Sequence, residues 1–260
     1  MILEKCIEII EKEKNCDDFE EKGSCLECVK DSFYFQNSDT YNCLKKLVTY
    51  TIEYGTMYAS EIYHFLGESK LLEKYFDDNK KINILSLGCG FMPDDIALTT
   101  YINDNKLDIN YLYKGYDIEP LWNQICPSEN FETRDILNGF DCIGIDIIFM
   151  NKVFSTLHNH GLSDDFLDTL EDELKNLNSG SFVIFNDINN QDMGRDEFDD
   201  FAINNNLEPI GKYFFNRNGE YTGNYTVIKN NHNIYEKPDN LPFEPRDVPT
   251  KTVFFVYKKK

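Results

Sequence analysis

From about residue 80 onwards, short apolar runs alternate with stretches that have a helical period. Runs such as 82–87 and 144–150 are too short for helices and end at glycine, asparagine or aspartate. Between such runs, stretches such as 94–102 and 163–177 place their apolar side chains on one helical face. This alternation predicts an α/β fold with a mostly parallel sheet that is covered on both faces.

The other predicted elements continue this alternation. Further strands are expected at 110–116, 131–133, 181–185, 208–215 and 251–257, and further helices near 70–76, 120–125 and 192–204. The last two strands follow one another without a helix between them, and residues 216–250 connect them. We therefore expect a Rossmann-like, seven-stranded sheet whose last strand is antiparallel, with an insertion before that strand.

The N-terminal region differs from the rest of the chain, because the two periodic stretches in it are both helical. The opening residues alternate at a helix period, and Asp39 or Thr40 can cap a long second helix that runs to about residue 66. The stretch between these helices lacks a clear pattern. We expect two parts, a helical extension over 1–79 and an α/β domain over 80–260.

Composition and charge narrow the range of possible functions. The 260 residues are 41% apolar, which is enough for a substantial core, and their net charge is −20. A chain this acidic repels nucleic-acid phosphate, and its one basic run is Lys258–Lys260. The first residues do not show the pattern of a signal peptide, so we expect none, and no apolar run reaches about 20 residues. We expect a cytoplasmic protein that acts on neither nucleic acid nor membranes.

The spacing of the cysteines in the N-terminal region is typical of a zinc site. Cys25 and Cys28 form a C-x2-C pair, an arrangement in which two thiolates can bind one tetrahedral ion. Cys16 and Cys43 would complete a structural four-cysteine site, with His64 as a substitute ligand. The alternative is a set of reduced, half-buried cysteines in a helical subdomain.

The turn after the first strand is the strongest candidate for a ligand site. Gly88 and Gly90 flank Cys89 between the strand and the next helix, and glycine permits backbone angles that a Cβ forbids. The N–H groups of the helix then point at whatever lies above the turn. Open α/β sheets build nucleotide-type pockets in this way. A tight turn without a ligand is the alternative.

Four segments, in this order, resemble the class I S-adenosylmethionine-dependent methyltransferases. Leu85-Ser86-Leu87-Gly88-Cys89-Gly90 is similar to the glycine motif of that family, and Gly115-Tyr116-Asp117 to its second strand. Arg134-Asp135-Ile136 stands at the position of the acidic residue near adenine. Residues 146–154 are similar to the fourth-strand motif of small-molecule methyltransferases. The resemblance covers residues 80–260 and implies methyl transfer from S-adenosylmethionine to a small molecule or a protein.

The resemblance also implies a role for particular residues. Asp117 would accept hydrogen bonds from the ribose hydroxyls, Asp135 would face the adenine amino group, and Asp94 or Asp95 the ammonium group. Asn151, at the end of the fourth strand, would lie where donor and acceptor meet. The full set implied to bind the cofactor is Ser86, Gly88, Cys89, Gly90, Asp94, Asp117, Ile118, Asp135, Ile136 and Asn151.

An amide and two histidines follow the fourth strand and are candidates for the chemistry at the methyl acceptor. Asn151 and His158 are the candidate catalytic residues, with His160 as a second possible base. Tyr54 and Tyr58 of the long N-terminal helix would close over the pocket.

The glycine motif also departs from the family pattern. Ser86 replaces the usual acidic residue of this motif, and Met92 replaces its third glycine. These departures favour an alternative, a catalytically inactive cofactor-binding or regulatory protein with a partner-docking N-terminal region.

Overall fold

A computed structural model describes residues 2–13, 23–34, 43–77, 81–215, 225–230, 232–246 and 252–260. The strands are β1 (Lys81–Leu87), β2 (Asn110–Asp117), β3 (Phe131–Thr133), β4 (Ile147–Asn151), β5 (Phe182–Ile188), β6 (Leu207–Phe215), β7 (Thr226–Val227) and β8 (Thr252–Lys259). The helices are α1 (Ile2–Lys12), α2 (Cys25–Tyr34), α3 (Leu44–Ser69), α4 (Leu71–Tyr75), α5 (Pro93–Asn105), α6 (Trp122–Ile125), α7 (Phe154–Asn159), α8 (Ser163–Leu174) and α9 (Arg195–Asn204).

All these strands belong to one sheet, with the order β3-β2-β1-β4-β5-β8-β6-β7. Strands β1 to β5 are parallel to one another, whereas β8 is antiparallel to both β5 and β6. The order reverses at β1, which lies between β2 and β4. In open α/β sheets, ligands bind outside the carboxyl ends of the strands at such a reversal.

Side chains that alternate along the central strands fill two separate cores. On one face, Ile84 of β1 and Phe149 of β4 pack with residues of α3 and α5. On the opposite face, Leu85 and Ile148 pack with residues of α8 and α9. Because successive side chains of a strand point to opposite faces, this division explains why the strand sequences are continuous apolar runs.

The long helix α3 joins the N-terminal region to the sheet. Its C-terminal half contributes Phe65 to the core of the sheet, where the Phe65 ring stacks on Phe254 of β8 with 4.2 Å between centroids. Its N-terminal half packs with α1, the loop after β1 and α6. Residues 232–246 cross its outer face, where Arg246 Nε donates to Glu53 Oε1 at 3.0 Å. Most of the helix is therefore buried, although it contains several charged residues.

The mostly parallel sheet and its antiparallel last strand confirm the predicted fold class. One count differs: the described residues form eight strands rather than seven. The additional strand is the two-residue β7, which lies at the edge of the sheet inside the predicted insertion. A strand of two residues is too short to show the alternation of side chains by which strands are predicted from sequence. The expected caps of α3, Asp39 and Thr40, lie outside the described residues.

Two helices, α2 and α7, were not predicted. Residues 25–34 show a helical pattern too weak to recognise, and α7 is six residues long. Across the part of the chain that the structure describes, we find no helix of the length and apolarity needed to cross a bilayer.

Candidate functional site

A cleft with a volume of about 480 Å³ opens at the carboxyl ends of β1, β2 and β4. This volume lies within the range of roughly 300–1,000 Å³ that small-molecule sites occupy. One side of the cleft is lined by Gly88, Gly90, Asp117, Ile118, Asp135 and Ile136. The other side is lined by Tyr50, Tyr58, Asn151, Lys152, Thr156 and His160. The first side contains most of the predicted cofactor residues, so the fold brings them together.

Backbone conformation explains the glycine turn after β1. Gly88 and Gly90 have φ angles of +64° and +52°, which glycine adopts without strain. A Cβ on Gly88 would lie 2.5 Å from Val153 Cγ2, so the missing side chain makes room for Val153. Gly115 of β2 has the same role for Cys89, whose Sγ would lie 2.7 Å from an added Cβ. Cys89 is therefore buried by packing, although it lines the cleft.

Met92 follows the turn in a left-handed conformation, with a φ of +59°. Its side chain is buried, and its backbone N–H donates to Cys89 O at 2.8 Å. Pro93 then begins α5, at a helical position where proline removes no intrahelical hydrogen bond. The loop thus closes without the third glycine, because Met92 itself adopts a positive φ, which is uncommon for a non-glycine residue.

Asp117 links the end of β2 to the glycine turn. Its Oδ2 accepts a hydrogen bond from Gly90 N at 2.9 Å, and its Oδ1 accepts one from Glu119 N at 3.0 Å. Removal of the carboxylate from bulk water raises the pKa of Asp117 to about 6, although the bonds from Glu119 and Gly90 oppose this rise. Each carboxylate oxygen has two lone pairs, so Asp117 can still accept hydrogen bonds from a ligand.

Asp135 lies in the same cleft but has a local role as well. It caps a 3-10 turn, where Oδ1 accepts from Leu137 N at 3.0 Å and Oδ2 accepts from Asn138 Nδ2 at 2.8 Å. Ile136 lies beside it in the lining, and Ile118 faces the cleft with 67% of its surface exposed. Exposure of so large an apolar residue next to a polar carboxylate suits a planar, partly apolar ligand.

Asp94 and Ser86 are not among the residues that line the cleft. The Asp94 side chain is 0% exposed, and its Oδ1 accepts from the Tyr113 hydroxyl at 2.9 Å. Burial raises the pKa of Asp94 to about 6, against the effect of Ser86 and Tyr113. Asp94 therefore lies beneath the glycine turn and does not face the cleft, in contrast to the ligand contact that the resemblance implied. Asp95 is held by Tyr111, whose hydroxyl donates to Asp95 Oδ1 at 2.7 Å.

Buried polar groups meet on the other side of the cleft. Lys152 Nζ lies 2.6 Å from Glu61 Oε1 of α3 and donates to Asn186 Oδ1 of β5 at 2.6 Å. The side chains of Lys152 and Glu61 are 9% and 0% exposed. Thr252 Oγ1 donates to Glu61 Oε2 at 3.1 Å, so the network ties α3 to both β5 and β8. Asn151, the predicted catalytic residue, lies next to it and lines the cleft.

The two histidines differ in position. His158 is not among the lining residues, and its Nδ1 lies 2.9 Å from Glu197 Oε2. His160 lines the cleft, and its Nδ1 lies 2.7 Å from Thr156 O. His160 is therefore the histidine in a position to exchange a proton in the cleft, rather than His158. Of the two expected lid tyrosines, Tyr58 lines the cleft, while Tyr54 stacks behind it with 5.7 Å between centroids.

The structure does not support the zinc site. Cys16 lies outside the described residues. Among the described residues, no group of three or more His, Cys, Asp or Glu side chains stands where it could hold a metal ion. A zinc ion needs four ligands about 2.0–2.3 Å from one point, and Cys25, Cys28 and Cys43 do not converge. The substitute ligand, His64, packs instead against His232, whose carbonyl oxygen lies 2.8 Å from Nε2.

Sequence reasoning missed Glu61, Lys152, Tyr50 and Trp122. Glu61 had a recognisable signal, because the sequence of α3 is apolar or small on nearly every side. A helix of this kind is buried all round, and a buried carboxylate requires a partner. Lys152 follows Asn151 directly and could have been included with it. Tyr50 and Trp122 contact one another with 6.1 Å between centroids, a tertiary contact that no local pattern shows.

The strand order and the site at its reversal are those of the class I S-adenosylmethionine-dependent methyltransferase fold, which confirms the resemblance at the level of the fold. The chain is similar to the CurJ carbon methyltransferase, with a TM-score of 0.52 and 12% identity over 98% of this chain and 70% of that chain. It is also similar to a candidate class I S-adenosylmethionine-dependent methyltransferase from Listeria monocytogenes, with a TM-score of 0.49 and 14% identity over 99% and 85% of the two chains.

A third similar structure is the N-methyltransferase NodS from Bradyrhizobium japonicum, in complex with S-adenosyl-L-homocysteine. Its TM-score is 0.43, with 14% identity over 76% of this chain and 87% of that chain. No protein-family model matches the chain, and no curated protein matches it. At these identities the likeness establishes the fold alone, so the function has to be argued from the site.

Proposed function

We propose that the protein transfers a methyl group from S-adenosylmethionine to a small molecule or a protein side chain. The observation that carries this proposal is the position of Asp117, bonded to Gly90 at the point where the strand order reverses. A carboxylate at the end of a second strand, beside a glycine turn, is the arrangement with which α/β folds bind a ribose.

The lining of the cleft fits this cofactor. Asp117 would accept from the ribose hydroxyls, and Asp135, Ile118 and Ile136 would contact the adenine. The Gly88 and Gly90 backbone would lie along the methionine part, with Cys89 between them. When bound, S-adenosylmethionine supplies an activated methyl group on a sulfonium sulfur. Asn151 and the polar groups beside it would then face the methyl acceptor.

The alternative is a protein that binds the cofactor without turnover. Met92 favours it, because a buried methionine with a positive φ stands where the family has a glycine. Both functions use the same donor site, so binding alone does not separate them. We do not include zinc in either proposal, because the described cysteines do not converge.

Methyl transfer is tested with S-adenosylmethionine that carries an isotopically labelled methyl group. The purified protein is incubated with this cofactor and with small-molecule and protein fractions of a cell extract. We expect a labelled product in at least one fraction, and its loss in the Asp117→Ala variant. Cofactor binding without any labelled product would favour the alternative.

A further inference from the structure

The polar network beside the cleft fixes the orientation of two amide side chains. Lys152 Nζ donates to Asn186 Oδ1 at 2.6 Å, and an ammonium group can only donate. Asn186 Nδ2 donates to Glu61 Oε1 at 2.8 Å, and a carboxylate can only accept. Both neighbours therefore require the same orientation of the Asn186 amide.

The orientation of Asn186 then determines that of Asn151. Asn186 Nδ2 lies 3.4 Å from Asn151 Oδ1, so the oxygen of Asn151 faces this donor. The reversed amide would bring two N–H₂ groups together, which is unfavourable. Asn151 Nδ2 is consequently turned away from Asn186. It is buried, and within the described part of the chain it has no hydrogen-bond partner. A buried donor without a partner indicates that an acceptor atom is missing.

Lys152 is a second donor on the same side of the cleft. Its φ angle is +58°, an unusual conformation for a non-glycine residue, and such strain is concentrated at functional sites. Glu61 and Asn186 take up two of the three hydrogens of its ammonium group. The ammonium group also lies 5.5 Å from the centre of the Tyr58 ring, and both residues line the cleft.

The carboxylates nearby bind protein donors and do not line the cleft. Glu61 accepts from Asn186 and Thr252 and pairs with Lys152. Asp187 accepts from Ser155 N at 2.8 Å and from Ile188 N at 2.7 Å. Asn151 Nδ2 and the Lys152 ammonium group are both donors. They suit an oxygen nucleophile, which keeps a second lone pair to accept a hydrogen bond while the first attacks the methyl group. A neutral amine has a single lone pair and cannot do both.

We propose that the methyl acceptor is an oxygen nucleophile, a hydroxyl or carboxylate group of a small molecule, and that Asn151 and Lys152 bind this oxygen. Glu61 of α3 is the positioning residue that holds Lys152. This inference rests on the proposed methyl transfer and names the substrate class for it. The aromatic side chains of Tyr50, Tyr58 and Trp122 in the same lining suit an acceptor with a flat, apolar body.

The reaction balances without a further reagent. A lone pair of the acceptor oxygen forms the new O–CH₃ bond, while the S–CH₃ bond breaks and its electron pair stays on sulfur. A carboxylate acceptor has no proton to release. A hydroxyl acceptor gives its proton to water, or to His160 at the edge of the cleft. The positive charge of Lys152 stabilises the oxygen anion that forms when the hydroxyl loses its proton.

The test uses ¹³C²H₃-labelled S-adenosylmethionine with matched oxygen and nitrogen acceptors. The pairs are phenol with aniline and benzoate with benzylamine, and the low-molecular-weight fraction of a cell extract is added as a third source. Mass spectrometry assigns each label to oxygen or nitrogen. Calorimetry with S-adenosylhomocysteine measures the donor site separately, so a failure of the proposed function is distinguishable from a failure of this inference.

Two variants and one control complete the design. Glu61→Gln/Lys152→Met removes both buried charges together, since loss of one alone would leave the other unpaired. We expect an oxygen methylation rate at least about tenfold lower, with S-adenosylhomocysteine affinity unchanged within about twofold. Asp199→Asn/Lys212→Met is the matched control, because it also removes both members of an ion pair whose lysine lies over an aromatic ring, but outside the cleft.

Asn151→Leu gives a readout that a merely structural asparagine would not. Removal of an unpartnered buried donor should leave the melting temperature equal or higher, while oxygen methylation falls. Preferential labelling of nitrogen, or an unchanged rate in the double variant, overturns the oxygen assignment and leaves methyl transfer standing. Weaker S-adenosylhomocysteine binding by Asn151→Leu overturns the role of Asn151 in the acceptor site. If no acceptor is labelled, the proposed function fails, and this inference fails with it.

Discussion

The carboxylate of Asp117 accepts a hydrogen bond from the backbone N–H of Gly90, with 2.9 Å between Oδ2 and nitrogen. The two residues belong to different strand ends, and the bond joins the turn after β1 to the end of β2. It orients the carboxylate at the rim of the cleft. Loss of this carboxylate should therefore weaken ligand binding.

The ionisation of Asp117 should control the affinity for S-adenosylhomocysteine. Removal from bulk water raises the pKa of Asp117 to about 6, and the ionised carboxylate is the form that accepts two hydroxyl hydrogen bonds. Affinity should therefore fall as the pH falls through 6, by about tenfold at pH 5. Calorimetry at pH 5, 6 and 7.5 measures this change. An affinity that stays constant over this range would show that Asp117 does not contact the ligand.

A second pH effect concerns stability and the buried Asp94. Burial raises its pKa from 3.8 to about 6, which corresponds to roughly 3 kcal/mol at 1.36 kcal/mol per unit. The native state holds this proton more tightly than the unfolded state, so the unfavourable effect is fully present above pH 6 and absent below about pH 4. Relative to the wild type, Asp94→Asn should gain up to about 3 kcal/mol between pH 4 and pH 7.

Urea denaturation of both proteins at several pH values tests the Asp94 prediction. The amide introduced by Asp94→Asn would retain an oxygen that can accept from Tyr113, so the variant should fold. Asp104→Asn is the matched control, because Asp104 accepts from the Tyr63 hydroxyl at the surface. A stability difference for Asp94→Asn that does not vary with pH would contradict the account of this carboxylate.

Packing at Gly88 provides a third prediction. A Cβ there would lie 2.5 Å from Val153 Cγ2, and the φ angle of +64° disfavours any other residue. Gly88→Ala should lower the free energy of unfolding by about 1–3 kcal/mol more than Gly144→Ala. Gly144 has a φ of +72° with open space around it, so it isolates the backbone effect.

The Gly88 prediction has an internal check. Val153→Ala removes the methyl groups that an added Cβ would meet. In a double-mutant cycle, the additional destabilisation of Gly88→Ala should be smaller in the Val153→Ala background, although the Cβ of residue 153 still lies 2.8 Å from the added Cβ. Additive effects of the two substitutions would mean that Val153 does not occupy the space beside Gly88.

The central strands β1, β4 and β5 were predictable because nearly all of their residues are buried on both faces of the sheet. The prediction of β3 at 131–133 is confirmed in full, and the boundary of β1 differs by one residue. The glycine turn and Asp117 were predictable as well, because a strand end and a motif mark them. The domain boundary at about residue 79 stays a prediction, and Phe65 of α3, which precedes it, packs in the core of the sheet. No periodicity specifies which surface a buried helix covers.

The acceptor side was less predictable for a related reason. Glu61 and Lys152 are 91 positions apart, and only the packing of α3 across the sheet brings their charges together. The environment of Asp94 is also set by a tertiary contact. Its sequence position beside the glycine turn suggested a ligand contact. Its side chain is buried and accepts a hydrogen bond from Tyr113 instead. Whether a side chain at a helix start faces the cleft or the core depends on how the helix packs against the sheet, which the local sequence does not specify.

The most direct test of the central claim is a calorimetric titration of S-adenosylhomocysteine into three proteins. These are the wild type, Asp117→Ala and the control Asp141→Ala. In the wild type, Asp141 also accepts a hydrogen bond from the backbone N–H two residues further on, at 2.8 Å, but it lies outside the cleft. The account predicts binding by the wild type, with affinity reduced by about 1.5–3 kcal/mol, or roughly 10- to 150-fold, in Asp117→Ala and unchanged in Asp141→Ala. Absence of binding by the wild type at millimolar concentration, or equal affinities in all three proteins, would contradict it.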